Sequence, residues 1–315
     1  MHIALEEHFV IDEPTHVDRW RTLVPFIPED TFSKIKRPLC DLGEGRIAAM
    51  AEAGIDFAVL SNVASVQGHL EARTAMKLAR EANDRLAEAV QAHPKYFAGF
   101  ATVPLQDPSA GAKEFERAVR DLGMKGALII GQTDGAYLDE DRFTPLWEAT
   151  QALDVPIYLH AADAGVEPAT YAGRPELRGA TWSWTAETAA HTLRIVFGGV
   201  FTRFPKARLI LGHLGETLPY LLWRIDRRSQ AFADGEAIKP SAIFRRNVAI
   251  TTAGTFSDEP LVCALTAMGE DAVMFSVDHP FENMKEATSW LDAAPIDHTV
   301  REKIFSGNAR RILKL

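Results

Sequence analysis

The sequence lacks the features that mark membrane, secreted and nucleic-acid-binding proteins. No apolar run reaches the roughly 18–20 residues of a membrane span, and the amino terminus has no basic segment followed by an apolar stretch, so we expect neither a span nor a secretory signal. The two cysteines, Cys40 and Cys263, are far apart and form no CxxC motif or disulfide framework, which favours a cytoplasmic protein. Acidic residues outnumber basic ones by 43 to 34, which argues against a nucleic-acid partner.

Eight apolar runs of strand length alternate with helical patterns along the 315 residues. Most of the runs are almost continuously apolar, as is typical of parallel strands buried on both faces. We place the strands at residues 3–7, 57–61, 97–103, 125–130, 156–159, 209–212, 248–252 and 273–276. Eight β-α steps without a linker predict an α/β protein with a closed (β/α)₈ barrel, in one domain spanning residues 1–315. An open doubly wound sheet is the alternative, although it would draw functional residues from fewer strands.

Residues 10–45 interrupt this alternation. The stretch contains prolines at positions 14, 25, 28 and 38 and no clear strand. We therefore expect an insertion after the first strand, which either covers the mouth of the barrel as a lid or is a surface excursion.

Side chains that commonly bind metals follow three of the predicted strands. Glu6 and His8 end the first strand and, being two residues apart, point the same way, whereas Glu7 points oppositely. His160 follows the fifth strand and Asp278 the eighth. Each residue alone has a structural explanation, as a core histidine, a helix cap or half of an ion pair. Because all of them lie at the end of the barrel where active sites are found, we predict one divalent ion, Zn²⁺ or Mn²⁺, bound by the four residues Glu6, His8, His160 and Asp278.

A candidate acid/base pair follows the sixth strand. Glu216 lies three residues after His213 and can orient its imidazole, as a carboxylate commonly does for a working histidine. Two histidines and two carboxylates already suffice for one metal, so we assign His213 to proton transfer or charge stabilisation. Glu216 is also favourable at the start of a helix, and both explanations can hold together.

Ordered motifs along almost the whole chain carry a family resemblance. They include ALEEHF at residues 4–9, PLQDP at 104–108, YLH at 158–160, LGHLGE at 211–216, WRID at 223–226 and FSVDHPFEN at 275–283. In these motifs the sequence resembles the amidohydrolase-superfamily decarboxylases, a group that includes γ-resorcylate, 2,3-dihydroxybenzoate, 5-carboxyvanillate and aminocarboxymuconate-semialdehyde decarboxylases. The resemblance is greatest to the γ-resorcylate branch.

The resemblance implies a metal-dependent, non-oxidative and reversible decarboxylase of a small ortho-hydroxylated aromatic acid, such as γ-resorcylate or a dihydroxybenzoate. It implies the same four metal ligands and makes His213 and Glu216 the catalytic pair. Asp278 is our candidate for the acid that protonates the ring carbon. Arg224 matches an arginine that reaches the neighbouring subunit's site, which implies a homodimer or homotetramer, although a surface ion pair with Asp226 is the alternative for this arginine.

The chain departs from the family near the expected pocket. Ile130 stands where close relatives carry Asn, residues 161–163 read Ala-Ala-Asp instead of Pro-Arg-Asn, and His279 replaces a Trp. These departures bear on the identity of the substrate more than on the class of reaction. Trp182 and His279 are candidate substrate contacts, although Trp182 is equally explained by packing. The alternative function is a metal-dependent hydrolase of a lactone or amide, in which Asp278 or His213 would take a proton from water.

Overall fold

Parallel strands, paired in the order in which they occur along the chain, form the centre of the molecule. The computed structural model describes residues 1–25, 27–232 and 239–315. Parallel pairing runs from β1 to β3 and from β4 to β9. The strands are β1 (Ile3–Phe9), β2 (Phe57–Asn62), β3 (Phe97–Gly99), β4 (Ala101–Thr102), β5 (Ala127–Ile130), β6 (Ile157–His160), β7 (Leu209–Leu211), β8 (Val248–Thr251) and β9 (Val273–Met274).

The third predicted strand is divided into β3 and β4 at Phe100. The peptide N–H of Phe100 still donates to Leu60 O of β2 at 2.9 Å, whereas the next residue, Ala101, donates to Gly126 O on the other side at 2.8 Å. Consecutive peptide groups of a central strand bond alternately to its two neighbours, so residues 97–102 form one continuous part of the barrel wall between β2 and β5.

The barrel closes between its first and last strands. Asp278 N donates to Glu6 O at 3.0 Å, and His8 N donates to His279 O at 2.7 Å. These two bonds continue the parallel pairing beyond the end of β9, where Glu7 and His279 form a parallel bridge. The predicted (β/α)₈ barrel is confirmed, with the first and last strands side by side.

Helices surround the barrel, and the longer ones pack on it through an apolar face. In α4, buried residues recur at the helical spacing of Ala75, Leu78, Ala79, Ala82 and Leu86. The helices are α1 (Pro14–Leu23), α2 (Glu29–Cys40), α3 (Glu44–Glu52), α4 (Ala72–Ala92), α5 (Pro108–Arg120), α6 (Thr144–Leu153), α7 (Ser183–Phe197), α8 (Val200–Arg203), α9 (His213–Glu216), α10 (Leu218–Ser229), α11 (Pro240–Asn247), α12 (Asp258–Met268), α13 (Met284–Ala293), α14 (His298–Glu302) and α15 (Asn308–Leu313). Among the described residues, none of these helices is long and apolar enough to cross a membrane.

Alternate residues of the strands fill the inside of the barrel. Their neighbours along each strand face the helices and belong to the larger core between sheet and helices. The interior cluster contains Ile3, Leu5, Val59, Phe100, Leu128, Tyr158, Ile210 and Met274. Because apolar side chains occupy the interior, a functional site has to lie at one end of the barrel.

The stretch of residues 10–45 contains α1 and α2 in place of a strand. Trp20 of α1 stacks on Phe32 of α2, with their ring centroids 4.5 Å apart, and these helices join a small apolar cluster with Val10 and Val63. Trp20 also lines the cavity at the carboxyl end of the barrel. The insertion thus contributes to the wall of this cavity, and its action as a lid stays a prediction.

Candidate metal centre

The four predicted metal ligands converge at the carboxyl end of the barrel. One potential ligand atom from each of Glu6, His8, His160 and Asp278 lies within 4.8 Å of the other three. Glu6 and His8 end β1, His160 ends β6, and Asp278 follows β9. The side chains of Glu6 and His8 are fully buried. Barrel closure brings β1 and the end of β9 together, and the pleat of β1 turns Glu6 and His8 to the same side.

Hydrogen bonds hold the two imidazoles with their Nε2 atoms facing each other. His160 Nδ1 lies 2.8 Å from Ala161 O, which can only accept, so this nitrogen carries the proton and Nε2 carries a lone pair. His8 Nδ1 lies 3.1 Å from Ser61 Oγ, and the two Nε2 atoms are 3.1 Å apart. Burial lowers the pKa of His160 to about 3, and the imidazole is therefore neutral at physiological pH. A neutral imidazole held in this way is ready to bind a metal.

The two carboxylates complete a set of donors that fits a divalent cation. Glu6 Oε1 lies 3.3 Å from His160 Nε2, and Asp278 Oδ1 lies 3.1 Å from His8 Nε2. Both oxygens are buried and have no hydrogen-bond donor in the part of the chain that the structure describes. Burial raises the pKa of Glu6 to about 7, because its charge has little solvation. A divalent ion between two nitrogens and two oxygens would satisfy these atoms, and the residues present therefore fit the predicted metal.

Tyr158 is a functional neighbour that the sequence reasoning missed. Its hydroxyl donates to Glu6 Oε2 and lies 2.7 Å from Thr251 Oγ1, so it holds the carboxylate of Glu6 in position. Gly212 leaves room on the other side, since a Cβ at this position would lie 2.6 Å from Glu6 Oε2. The sequence did indicate this role, because Tyr158 is two residues before His160 on β6 and its side chain therefore points to the same side of the strand.

Glu7 and Arg46 support the site from the outside of the barrel. Glu7 points away from the metal ligands, as predicted from the strand period, and its Oε1 accepts a hydrogen bond from Val277 N at 2.9 Å. Arg46 of α3 donates to His8 O at 2.6 Å and to Asp41 O at 2.7 Å. The arginine thus ties the strand that carries two ligands to the segment after α2. No pattern in the sequence pointed to Arg46, because its partners are backbone carbonyls.

His213 and Glu216 form a hydrogen-bonded pair beside the metal ligands. His213 Nδ1 lies 2.7 Å from Glu216 Oε1, and its Nε2 lies 3.8 Å from Asp278 Oδ2. The backbone holds this pair in a run of positive φ angles, 49° at His213 and 53° at Glu216, and Asp278 itself has a φ of 81°. Non-glycine residues rarely adopt such angles, and clusters of them are typical of functional sites.

The surroundings shift the pKa values of His213 and Asp278 in opposite directions. Burial acts to lower the pKa of His213, but the carboxylates of Glu216, Asp278 and Glu6 together outweigh it and hold this pKa well above its usual value. Burial acts to raise the pKa of Asp278, but interactions with His213 and His8 hold it below its usual value. At neutral pH the site therefore contains an imidazolium at His213 and a carboxylate at Asp278.

A cavity of about 560 Å³ opens directly above these groups. His160, His213 and Asp278 form its base, and its volume is within the range of about 300–1,000 Å³ usual for small-molecule sites. Its walls are largely apolar and aromatic, and include Trp20, Val63, Ile130, Trp184 and Phe281. This shape suits a flat, ring-sized ligand with its polar end at the base.

Three weaker candidates lie outside the lining of this cavity. Trp182 is 45% exposed, and Trp184 two residues later lines the cavity instead. The backbone carbonyl of His279 serves the barrel closure, and its side chain is not part of the lining. Arg224 is exposed on α10. The roles of these three residues as substrate contacts stay predictions.

Comparison with known proteins identifies the class to which this fold and site belong. A family model described as Amidohydrolase matches residues 11–315. The chain belongs to this amidohydrolase family, and the resemblance inferred from the sequence motifs is confirmed.

Within the family, similar proteins include several decarboxylases. The chain is 40% identical to a γ-resorcylate decarboxylase of Rhodococcus jostii over 329 residues, which cover 99% of this chain and 98% of the relative. A solved dihydroxybenzoic acid decarboxylase from Polaromonas sp., with bound manganese and the inhibitor 2-nitroresorcinol, is 38% identical with a TM-score of 0.93 and covers 100% and 97% of the two chains. A manganese-bound 5-carboxyvanillate decarboxylase from Novosphingobium aromaticivorans is 32% identical, with a TM-score of 0.92 and the same coverage.

We predict that His160→Ala abolishes stoichiometric binding of a divalent metal, because it removes one of two nitrogen donors. Metal analysis after dialysis against Mn²⁺, together with the rise in Tm on adding Mn²⁺, measures this without reference to activity. His298→Ala is the matched control, since His298 is exposed on α14. Equal metal content and an equal shift of Tm in the two variants would remove His160 from the metal site.

Proposed function

We propose that this protein is a metal-dependent, non-oxidative decarboxylase of an ortho-hydroxylated aromatic acid. The observation that carries the proposal is that His213 lies beside four converging metal-binding groups, one of which is Asp278. The chain is also 38–40% identical to aromatic acid decarboxylases. The apolar cavity above this arrangement accommodates a ring, and the base supplies the charged groups that a carboxylate needs.

We propose Mn²⁺ as the resident ion rather than Zn²⁺. Two similar solved decarboxylases contain manganese. The ligands would be Glu6, His8, His160 and Asp278, and they include no thiolate, which would have favoured zinc. When bound, the ion supplies a Lewis acid that neutralises the charge of the substrate's oxygen atoms and fixes their position.

The reaction requires a proton before it releases CO₂. Direct loss of CO₂ from an aryl carboxylate would leave an unstabilised aryl anion. When a proton is added to the carboxylate-bearing carbon first, the C–C bond can break and its electron pair can restore the aromatic ring. An ortho hydroxyl group donates electron density to that carbon, which is why the substrate class carries one.

The side chains of this site can hold and deliver that proton. His213 carries a proton on Nε2 that faces Asp278 Oδ2 across 3.8 Å. Transfer from His213 to Asp278 would place the proton on Oδ2, the oxygen that faces His213 rather than His8, and Asp278 would then protonate the ring carbon. Glu216 keeps His213 oriented and stabilises its positive charge before the transfer.

We also propose a cytoplasmic homodimer or homotetramer in which Arg224 approaches the neighbouring subunit's substrate. Arg224 lies on α10 beside two large exposed aromatic side chains, Tyr220 at 81% and Trp223 at 78%. Exposed aromatic groups of this size on one helix are typical of protein interfaces.

His213→Asn should lower kcat by about 10²–10⁴, the usual effect of losing an acid/base group, with folding and metal content unchanged. Glu216→Gln should have a smaller effect, because the imidazole loses its charged partner but keeps a hydrogen-bond acceptor. Steady-state kinetics and metal analysis check both, with His93→Asn as a control outside the cavity. Normal turnover by His213→Asn would show that this histidine is structural.

Arg224→Ala should lower kcat/KM by about 10-fold or more while the oligomer stays intact, because the loss of one charged contact typically has that effect. Arg227→Ala, on the same helix and also exposed, is the control. Sedimentation velocity and kinetics test the proposal together. A fully active monomer would contradict it.

Turnover in D₂O should place one deuterium on the ring carbon that loses CO₂, because decarboxylation replaces a C–C bond with a C–H bond. We expect this with an ortho-hydroxybenzoate and no reaction with the para isomer, whose hydroxyl and carboxylate cannot both reach one metal. Mass spectrometry and NMR of the product measure the label. Hydrolysis of a lactone without CO₂ release from any ortho-hydroxybenzoate would favour the hydrolase alternative.

A further inference from the structure

Arg19 of α1 is a cation on the wall of the cavity whose role the proposed mechanism leaves open. Its Nε donates to Ser65 O at 2.9 Å, and its Nη2 donates to Gln67 O and Gly68 O at 3.0 Å each. Three of the five N–H groups of the guanidinium are therefore used to hold the loop after β2. The N–H groups of Nη1 make no hydrogen bond within the described ranges 1–25, 27–232 and 239–315.

The positive charge of Arg19 has no ion-pair partner among the described residues. Backbone carbonyls satisfy its hydrogen bonds but carry no net charge, and no carboxylate of the described residues forms an ion pair with it. Burial lowers the pKa of Arg19, yet a guanidinium remains protonated in proteins. A half-buried cation without an ionic partner can be stabilised further by a ligand that brings a negative charge.

Two polar side chains next to Arg19, Ser65 and Gln67, are already used by the protein. Ser65 Oγ donates to Gln67 Oε1 at 2.9 Å, and Gln67 Nε2 donates to Val103 O at 2.6 Å, so both ends of this amide are occupied. Much of the wall between Arg19 and the base is apolar, with Ile130 and Phe281 among its residues. Arg19 is the one Arg or Lys side chain among the described residues that line the cavity, so recognition of a negatively charged group on the ligand falls to it.

Two acidic residues of the cavity restrict where an anionic group of the ligand can bind. Asp163, which accepts a hydrogen bond from the hydroxyl of Ser183, and Glu282 both line the cavity. Both would repel an anion that is bound away from Arg19. An anionic group on the ligand is thus favoured at one position of the wall and disfavoured at others.

We propose that Arg19 recognises a second carboxylate on the substrate, so that the preferred substrate is a hydroxylated aromatic diacid. One carboxylate lies at the base and is lost, and the other accepts hydrogen bonds from Nη1 of Arg19 near α1. This inference rests on the proposed function for the identity of the reacting group. The assignment of Arg19 as an anion-recognising residue rests on the cavity alone.

The test compares salicylate with 4-hydroxyisophthalate and 2-hydroxyterephthalate, which add a second carboxylate at different ring positions. We expect the wild-type protein to have a kcat/KM for one diacid about 10- to 100-fold above that for salicylate, mainly through KM. Arg19→Gln, which keeps hydrogen-bond donors but removes the charge, should abolish this preference and change the kcat/KM for salicylate by less than about threefold. Arg19→Lys should retain part of the preference, because it keeps the charge without the planar fork.

Arg21→Gln is the matched control, because Arg21 is on the same helix and donates to Val24 O and Ile27 O without lining the cavity. This variant should leave the preference intact. Equal losses for salicylate and the diacid in Arg19→Gln would show that Arg19 only ties the loop to α1, and a wild-type protein without a diacid preference would equally overturn the inference.

Calorimetric binding of isophthalate and benzoate to the Mn²⁺-loaded protein separates this inference from the proposed function. Neither compound has the ortho hydroxyl that the reaction requires, so binding is measured without turnover. Weaker isophthalate binding in Arg19→Gln, with benzoate unchanged, supports the role of Arg19 even if no hydroxybenzoate releases CO₂. Unchanged isophthalate binding contradicts it, whatever the enzyme decarboxylates.

Discussion

The closing contact of the barrel is the constraint on which the site depends. Hydrogen bonds from Asp278 N to Glu6 O and from His8 N to His279 O join the two ends of the chain's strand order. Three of the four predicted metal ligands lie on the strands that meet there, although they are about 270 residues apart in sequence. The backbone bonds that complete the fold therefore also set the distances between the ligand atoms, and a change that weakened closure would disperse the site.

The site concentrates charge where water is largely excluded. Burial raises the pKa of Glu6 to about 7 and that of Glu7 to about 8, which shows how poorly solvation supports these carboxylates. A peptide N–H and the nearby Arg46 stabilise the negative charge of Glu7. Glu6 Oε1 and Asp278 Oδ1, which face the two imidazoles, have no hydrogen-bond donor among the described residues. A divalent cation resolves this imbalance, and its presence would also favour an anionic substrate in the cavity. The close carboxylates are therefore unfavourable without a bound cation and favourable with one.

Much of this arrangement follows from local rules that a sequence displays. Apolar runs that end in Glu6, His160 or Asp278 indicate strand ends with functional side chains, and the period of two predicts that Glu6 and His8 share a side. The interruption between β3 and β4 at Phe100 leaves no mark in the apolar run of residues 97–103. Arg19 and Arg46 were also beyond prediction, since both bind backbone carbonyls distant in sequence, which any residue supplies. Trp184 rather than Trp182 lines the cavity because α7 begins between them and sets their directions.

The central claim is that one ion links Glu6, His8, His160 and Asp278 and that the cavity above it holds the substrate. Anomalous diffraction at the manganese edge, from crystals grown with Mn²⁺ and an unreactive ortho-hydroxylated aromatic acid analogue, tests it most directly. The account predicts one strong peak per chain, roughly 2.0–2.3 Å from the nearest nitrogen and oxygen of these four side chains, with the analogue between the ion and Arg19. A peak at another position, or an analogue bound outside the cavity, would contradict it.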